Sequence, residues 1–202
     1  MRSGLAKFIE GVEYCGKFFM DQADVQKALY KIVSILDTGT YPYAIIGAMA
    51  LNEYGYRRVT VDVDLILRAK DLERFKTEWL GRGYEERAKG TGKLIDTVHN
   101  VHVDVLTAGF YPGDNLPKPI SFPDPSVWAI TGEKFSLLPM KLFIEIKLAS
   151  GMVAKHRGKD LVDIQGLIKS AGLARETVLT LHPWVRETFL TLWNLAQVEE
   201  PF

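Results

Sequence analysis

A single cysteine, Cys15, stands in the whole chain. One thiol excludes an intrachain disulfide and fits a reducing compartment. Free cysteines are mostly small buried fillers, and Cys15 reads as one, on an N-terminal helix. Histidine is scarce, at four residues, which argues against a His/Asp-rich hydrolase site. Neither sign of charge is in excess: 25 Lys and Arg face 25 Asp and Glu. No global field therefore draws the chain to nucleic acid or membrane, although net charge leaves local patches open. No stretch reaches the ~18 apolar residues that span a bilayer. Glu10, Glu13 and nearby glycines interrupt any signal-peptide core, so the expectation is a soluble, cytoplasmic protein with no membrane partner. Against these absences stands ample core material: of 202 residues, 47% are hydrophobic and 11% aromatic.

Hydrophobic spacing divides the chain. Residues 1–20 are weakly patterned, an arm or a short helix. From Gln22 to Asp37, apolar residues recur at three- and four-residue intervals (Val25, Leu29, Ile32, Val33, Leu36), which predicts a helix that Gly39 and Pro42 break. Tyr43 to Ile46 reads as a short buried strand, Gly47 ends it, and Ala48 to Tyr54 follows as a helix closed by Gly55. A strand is predicted over 59–67, an amphipathic helix over Asp71–Leu80, a short strand over Tyr84–Ala88, and a hairpin from Leu94–His99 and Val101–Leu106. Residues 109–125 carry two glycines and five prolines, a long loop of the kind that is often functional. Helices are predicted over Pro139–Val153, Asp160–Ser170 and Pro183–Val198, with Trp184 and Trp193 as core residues. The order implies an α+β fold, a mixed sheet core flanked by helices with a helical C-terminal part, rather than a doubly wound parallel sheet. The expected divisions are a helical segment over 1–38, an αβ core over 39–135 and a helical region over 136–202.

Three features carry chemistry. In Arg58-Val59-Thr60-Val61-Asp62-Val63-Asp64-Leu65, strand alternation puts Asp62 and Asp64 on one face, their Cα atoms about 6.5–7 Å apart, and Val61, Val63 and Leu65 on the other. Like charges this close resist ionising together. A divalent cation relieves them, and Mg²⁺ takes one or two carboxylates plus substrate phosphates. The same pair also reads as two solvated carboxylates on an exposed face. The strand–Gly–helix junction Ile46-Gly47-Ala48 is the second feature: helix N-termini favour anions and glycine admits close approach, although many such junctions use glycine for turn geometry alone. The third is Asp104, an acid inside the apolar run Val101–Leu106, where acids are disfavoured and rarely buried unpaired. If that strand neighbours the first, Asp62, Asp64 and Asp104 meet around one or two cations. His102 shares the face of Asp104 and reads as a surface imidazole.

Gly47-Ala48, Arg58-x-Thr60-x-Asp62-x-Asp64 and the later strand acid Asp104 resemble the nucleotidyltransferase fold of the polymerase-β superfamily. Lys147-Leu148-Ala149 and Arg157-Gly158-Lys159-Asp160-Leu161-Val162-Asp163 are similar to the downstream motif of toxin-like nucleotidyltransferases from abortive-infection and toxin–antitoxin systems and their uncharacterised bacterial relatives. The resemblance covers roughly residues 40–170. It implies Mg²⁺ or Mn²⁺ on Asp62, Asp64 and Asp104, with Asp104 as third ligand or general base. It implies a triphosphate held by Gly47, Ala48, Arg58, Thr60, Lys147, Arg157, Lys159 and Asp160. Two departures stand out: the second turn position is Ala48 and Met49 follows, so no hydroxyl assists the phosphate there. The basic residues Lys155, His156, Arg157 and Lys159 also read as ordinary cations at a joint between two helices.

The implied function is transfer of a nucleoside monophosphate from an NTP to an acceptor hydroxyl on tRNA, a protein or a small molecule, with a toxin role that would bring an antitoxin partner. A catalytically silent nucleotide-binding or antitoxin-like subunit of the same fold is the alternative that Ala48 motivates, and a metal-dependent phosphohydrolase is a third.

Overall fold

The computed structural model describes residues 24–154 and 157–198. The expectations for residues 1–20, Cys15, Gln22, Lys155 and His156 lie outside these. Helix α1 runs over 24–38 within the described chain, and its stripe of Val25, Leu29, Ile32, Val33 and Leu36 is buried as its spacing predicts. Gly39 and the left-handed Thr40 (φ 55°) then stop it. The rest follows as β1 (Tyr43–Ile45), α2 (Gly47–Glu53), β2 (Asp62–Leu67), α3 (Ala69–Trp79), β3 (Tyr84–Glu86), β4 (Lys93–Asp96), β5 (Val101–Thr107), α4 (Pro125–Trp128), β6 (Ile130–Thr131), β7 (Ser136–Leu137), α5 (Met140–Val153) and α6 (Gly158–Ser170). Two 3₁₀ turns, Arg175–Thr180 and Pro183–Val185, precede α7 (Arg186–Ala196).

The strands form one seven-stranded mixed sheet, ordered β3-β4-β5-β2-β1-β7-β6. Central β2 is parallel to β5 and antiparallel to β1. The predicted hairpin is present as antiparallel β4 and β5. Burial along β2 explains where a site can lie. Val63 and Leu65 face the core, while Ile66 and Leu67 are both fully buried, so both faces are covered at the C-terminal end of the strand. At its N-terminal end only one face is covered, and there Asp62 and Asp64 are half-buried.

Two expectations need correction. The strand predicted over 59–67 starts at Asp62, and Val61 is 63% exposed rather than buried. Residues 56–61 are irregular because side chain and backbone bond locally instead of pairing in the sheet: Asn52 Oδ1 accepts from Arg58 N at 2.7 Å, and Asn52 Nδ2 donates to Arg58 O at 3.0 Å. The helix predicted from Pro183 begins at Arg186, after a 3₁₀ turn in which the His182 ring caps Trp184 N at 3.2 Å. Trp184 and Trp193 do pack on the core, and Trp193 Nε1 donates to Leu173 O at 2.8 Å. The loop after β5 folds back on itself through Gly109 N to Phe122 O and Phe122 N to Phe110 O, which buries Ile120 and Phe122.

A buried acid ties α1 to the sheet. Asp96 is fully buried and accepts from Lys31 Nζ at 2.7 Å and from Val98 N at 2.9 Å, with the His99 ring at 2.9 Å. Among the described residues no helix is long and apolar enough to cross a membrane.

Candidate active site

Parallel pairing of β2 with β5 sets Asp64 directly opposite Asp104, and Asp62 opposite His102. Strand alternation keeps Asp62 on the face of Asp64. The three acids expected from the sequence therefore share one sheet face, and His102 is exposed beside them.

Gly47 makes this arrangement possible. It adopts φ +64°, where a side chain is strained. A Cβ there would overlap the Asp64 carboxylate and sit 2.9 Å from Asp64 Cβ and Cγ. The backbone closes the same contact, since Ile46 N donates to Asp64 O at 2.9 Å. The glycine of the strand–helix junction thus seats Asp64. Ala48, next in the turn, is buried.

Burial in this hollow pushes the Asp64 carboxyl up to about 6, the Asp62 and Asp104 charges push the same way, and Lys147 and Lys159 offset part of it. The other two acids have hydrogen-bonding partners, of which only the second is a counter-charge: Thr60 Oγ1 donates to Asp62 Oδ1, and the Arg87 guanidinium pairs with Asp104 Oδ1. Arg87 is anchored by its Nε, which donates to Leu94 O at 3.1 Å.

A basic–acidic network stands on the other side. Lys147 of α5 bonds Asp160 at 2.7 Å and Asp163 at 2.8 Å, both on α6. Arg58 reaches the same Asp163 oxygen at 2.8 Å, and Ser150 Oγ donates to Asp160 at 2.7 Å. Burial pushes Asp160 up, but Lys147, Ser150 and Arg157 outweigh it and hold the carboxyl below its ordinary range. Asp160 and Asp163 are each 3% exposed, so the network is a buried clamp joining α5, α6 and the irregular segment that carries Thr60. Arg157 and Lys159 are exposed at the start of α6.

Asp163, Ser150 and Arg87 were not among the residues singled out for the site. Asp160 and Asp163 are three apart on one helix, a spacing that places them side by side, so Asp163 was readable once Asp160 was chosen. Ser150 likewise sits three residues after Lys147 on α5. Arg87 carries no such signal, because it lies just past the end of β3.

Among the described residues no group of three or more His, Cys, Asp or Glu side chains is arranged to hold a metal ion. The donor set fits a more open mode: two carboxylates on one strand face, with a third opposite, leaving positions for substrate oxygens, as Mg²⁺ sites usually do.

No known protein-family model matches this sequence, and no characterised protein matches it by sequence. Solved structures do match. The crystal structure of ANT(2'')-Ia in complex with adenylyl-2''-tobramycin aligns with a TM-score of 0.54 at 14% identity, over 82% of this chain and 96% of that one. The solution structure of the antibiotic-resistance factor ANT(2'')-Ia gives 0.48 at 16%, over 87% and 93%. The crystal structure of JHP933 from Helicobacter pylori gives 0.38 at 16%, over 87% and 90%. The first shows the fold: a nucleotidyltransferase-like mixed sheet flanked by helices.

Proposed function

We propose that this chain is a divalent-metal-dependent nucleotidyltransferase that moves a nucleoside monophosphate from an NTP to an acceptor hydroxyl. One observation carries the reading: three carboxylates from two parallel neighbouring strands share the uncovered end of a sheet face, with a glycine turn shaped around one of them. Such crowding destabilises a fold that has no cation to place there.

Asp62 and Asp64 would hold Mg²⁺ or Mn²⁺, and of the two roles open to Asp104, third ligand or general base, its pairing with Arg87 favours the base. The ion supplies charge neutralisation for the triphosphate and the acceptor oxygen. The remaining roles fall to side chains. Gly47 gives Asp64 its seat. Thr60 orients Asp62. Lys159, whose charge is felt at Asp64, and Arg157, felt at Asp160, are the exposed cations that would take the triphosphate. Lys147 and Arg58 act through Asp160 and Asp163 to lock α5, α6 and the Thr60 segment together. Asp104 accepts the proton of the attacking hydroxyl once Arg87 releases it. Positioning and electrostatics dominate chemistry of this kind.

The ANT(2'')-Ia complex holds adenylyl-2''-tobramycin, which supports a small-molecule hydroxyl as acceptor. The sequence resemblance adds a tRNA 3′ end, a protein hydroxyl and a toxin role with an antitoxin partner. The test is label transfer from the four α-³²P NTPs with Mg²⁺ or Mn²⁺ into RNA, protein and small-molecule fractions, beside Asp62→Asn. Label with wild type alone is expected. NTP binding without label transfer or pyrophosphate release would replace the enzyme with a nucleotide-binding subunit. A toxin would arrest growth when expressed, and Asp62→Asn would relieve the arrest.

A further inference from the structure

Beside the acids, the outer face of β3, β4 and β5 is open. Pairing register puts Lys93 of β4 directly opposite Asp104, and Ile95 opposite His102, so Lys93, Ile95, His102 and Asp104 share a face. Lys93 and His102 are exposed and Ile95 is half-buried. Lys93 has no ion-pair partner among the described residues. The turn linking β3 to β4 reads Arg87-Ala88-Lys89-Gly90-Thr91-Gly92, so a third cation and two glycines border the same edge. Gly92 is packed tightly: a Cβ there would overlap the Val105 carbonyl. The turn is thereby pinned onto β5 one residue past Asp104, and Val105 N donates to Gly92 O at 2.8 Å.

We propose that this face is the acceptor subsite, and that Arg87 and Lys93 bind an anionic group there, so that the acceptor hydroxyl lies next to a phosphate. The proposal rests on the nucleotidyltransferase reading for the word acceptor, though not for the anion site. Arg87 closes the site when it is empty by pairing with Asp104. A phosphate beside the attacking hydroxyl would draw the guanidinium away and leave the Asp104 carboxylate to the hydroxyl proton. In the transfer step the acceptor oxygen forms a bond to the α-phosphorus, the bond from that phosphorus to the bridging oxygen breaks, pyrophosphate leaves, and the hydroxyl proton passes to Asp104. A polycationic acceptor such as an aminoglycoside would instead meet Arg87, Lys89 and Lys93 as like charges. Glu85 is the one further acid that alternation places on this face, at its outer edge.

The phosphate could belong to a small phosphorylated metabolite or to the end of an RNA. The experiment is fluorescence polarisation of a fluorescein-labelled RNA tetranucleotide with the full chain, Mg²⁺ and a non-hydrolysable NTP, together with acceptor kinetics. Lys93→Gln is expected to weaken binding about tenfold and to lower the log–log salt slope by about 1. Arg87→Gln is expected to weaken it further and Arg87→Lys to restore part of it. Lys70→Gln, in the first turn of α3 past the C-terminal end of β2, serves as the charge control and is expected to bind as wild type does. In kinetics Lys93→Gln is expected to raise the acceptor KM and leave the NTP KM alone. Displacement by a nucleoside monophosphate as well as by unlabelled RNA would name the small source, and displacement by RNA alone the polymeric one. Equal binding by wild type and Lys93→Gln, or tobramycin labelled more efficiently than every phosphate-bearing acceptor, would overturn the proposal. Asp64-dependent transfer with an unchanged acceptor KM in Lys93→Gln would sink the subsite and spare the activity. Lys93-dependent binding with no Asp64-dependent transfer would do the reverse.

Discussion

Asp64→Asn is expected to make the protein more stable while abolishing its activity. The Asp64 carboxyl titrates at about 6 in the fold against an ordinary 3.8, through burial first and then the Asp62 and Asp104 charges. A folded pKa above the unfolded value means the native state binds the proton more tightly. Its contribution is therefore largest below about pH 4 and is lost as pH rises through 6. The gap corresponds to about 3 kcal/mol. In a chain of this length that is a ceiling of roughly 6–12 °C in Tm. Asparagine removes the charge and keeps the shape. In EDTA at pH 7.5 the variant should melt several degrees above wild type, and at pH 4 the two should converge. Adding Mg²⁺ should raise the wild-type Tm and leave the variant where it was. Thermal melts at four pH values, with and without metal, measure all of this. A variant less stable than wild type at pH 7.5 in EDTA would refute the electrostatic account of this site.

Gly47→Ala combines left-handed strain of about 1–2 kcal/mol with a methyl driven into the Asp64 carboxylate; it should lower the urea midpoint and remove nucleotide transfer together, and a variant with wild-type turnover would show that the seat is dispensable. Asp163→Asn leaves Lys147 and Arg58 without a shared anion, but Lys147 keeps Asp160, so the expected cost is about 1–3 kcal/mol, read from urea unfolding. Asp96→Asn tests the α1 tether. Burial pushes the Asp96 carboxyl up, but His99, Lys31 and Val98 N outweigh it and hold the group below its ordinary value. Its stabilisation is present above about pH 4 and disappears as pH falls further. Wild type should therefore lose more stability than Asp96→Asn between pH 5 and pH 3 in urea titrations.

The face shared by Asp62 and Asp64 was legible because side chains alternate strictly in any strand. That Asp104 lies opposite Asp64 was legible only as a condition, since the register of two strands so far apart in sequence is set by the packing of the whole sheet. Val61 shows the limit of the pattern: alternation continues in the letters, but Asn52 captures the Arg58 backbone and the strand starts later. β6 and β7 are not legible in the sequence because two-residue strands have no period to read. The basic motif was visible as a run of charges. Its division into the buried clamp of Lys147 and Arg58 and the exposed pair Arg157 and Lys159 follows from how α5 and α6 cross, which composition does not encode.

The sheet order also has a consequence for the newborn chain. β2 and β5 both end by Thr107, so the three crowded acids all precede Lys147, Arg157 and Lys159 in the order of synthesis. Arg87, the cation paired with Asp104 in the finished fold, is synthesised before that acid. The side chain that guards the empty site in the finished protein therefore belongs to the same early stretch of chain as the acids, five of the seven strands, and its counter-charge does not wait on the C-terminal helices.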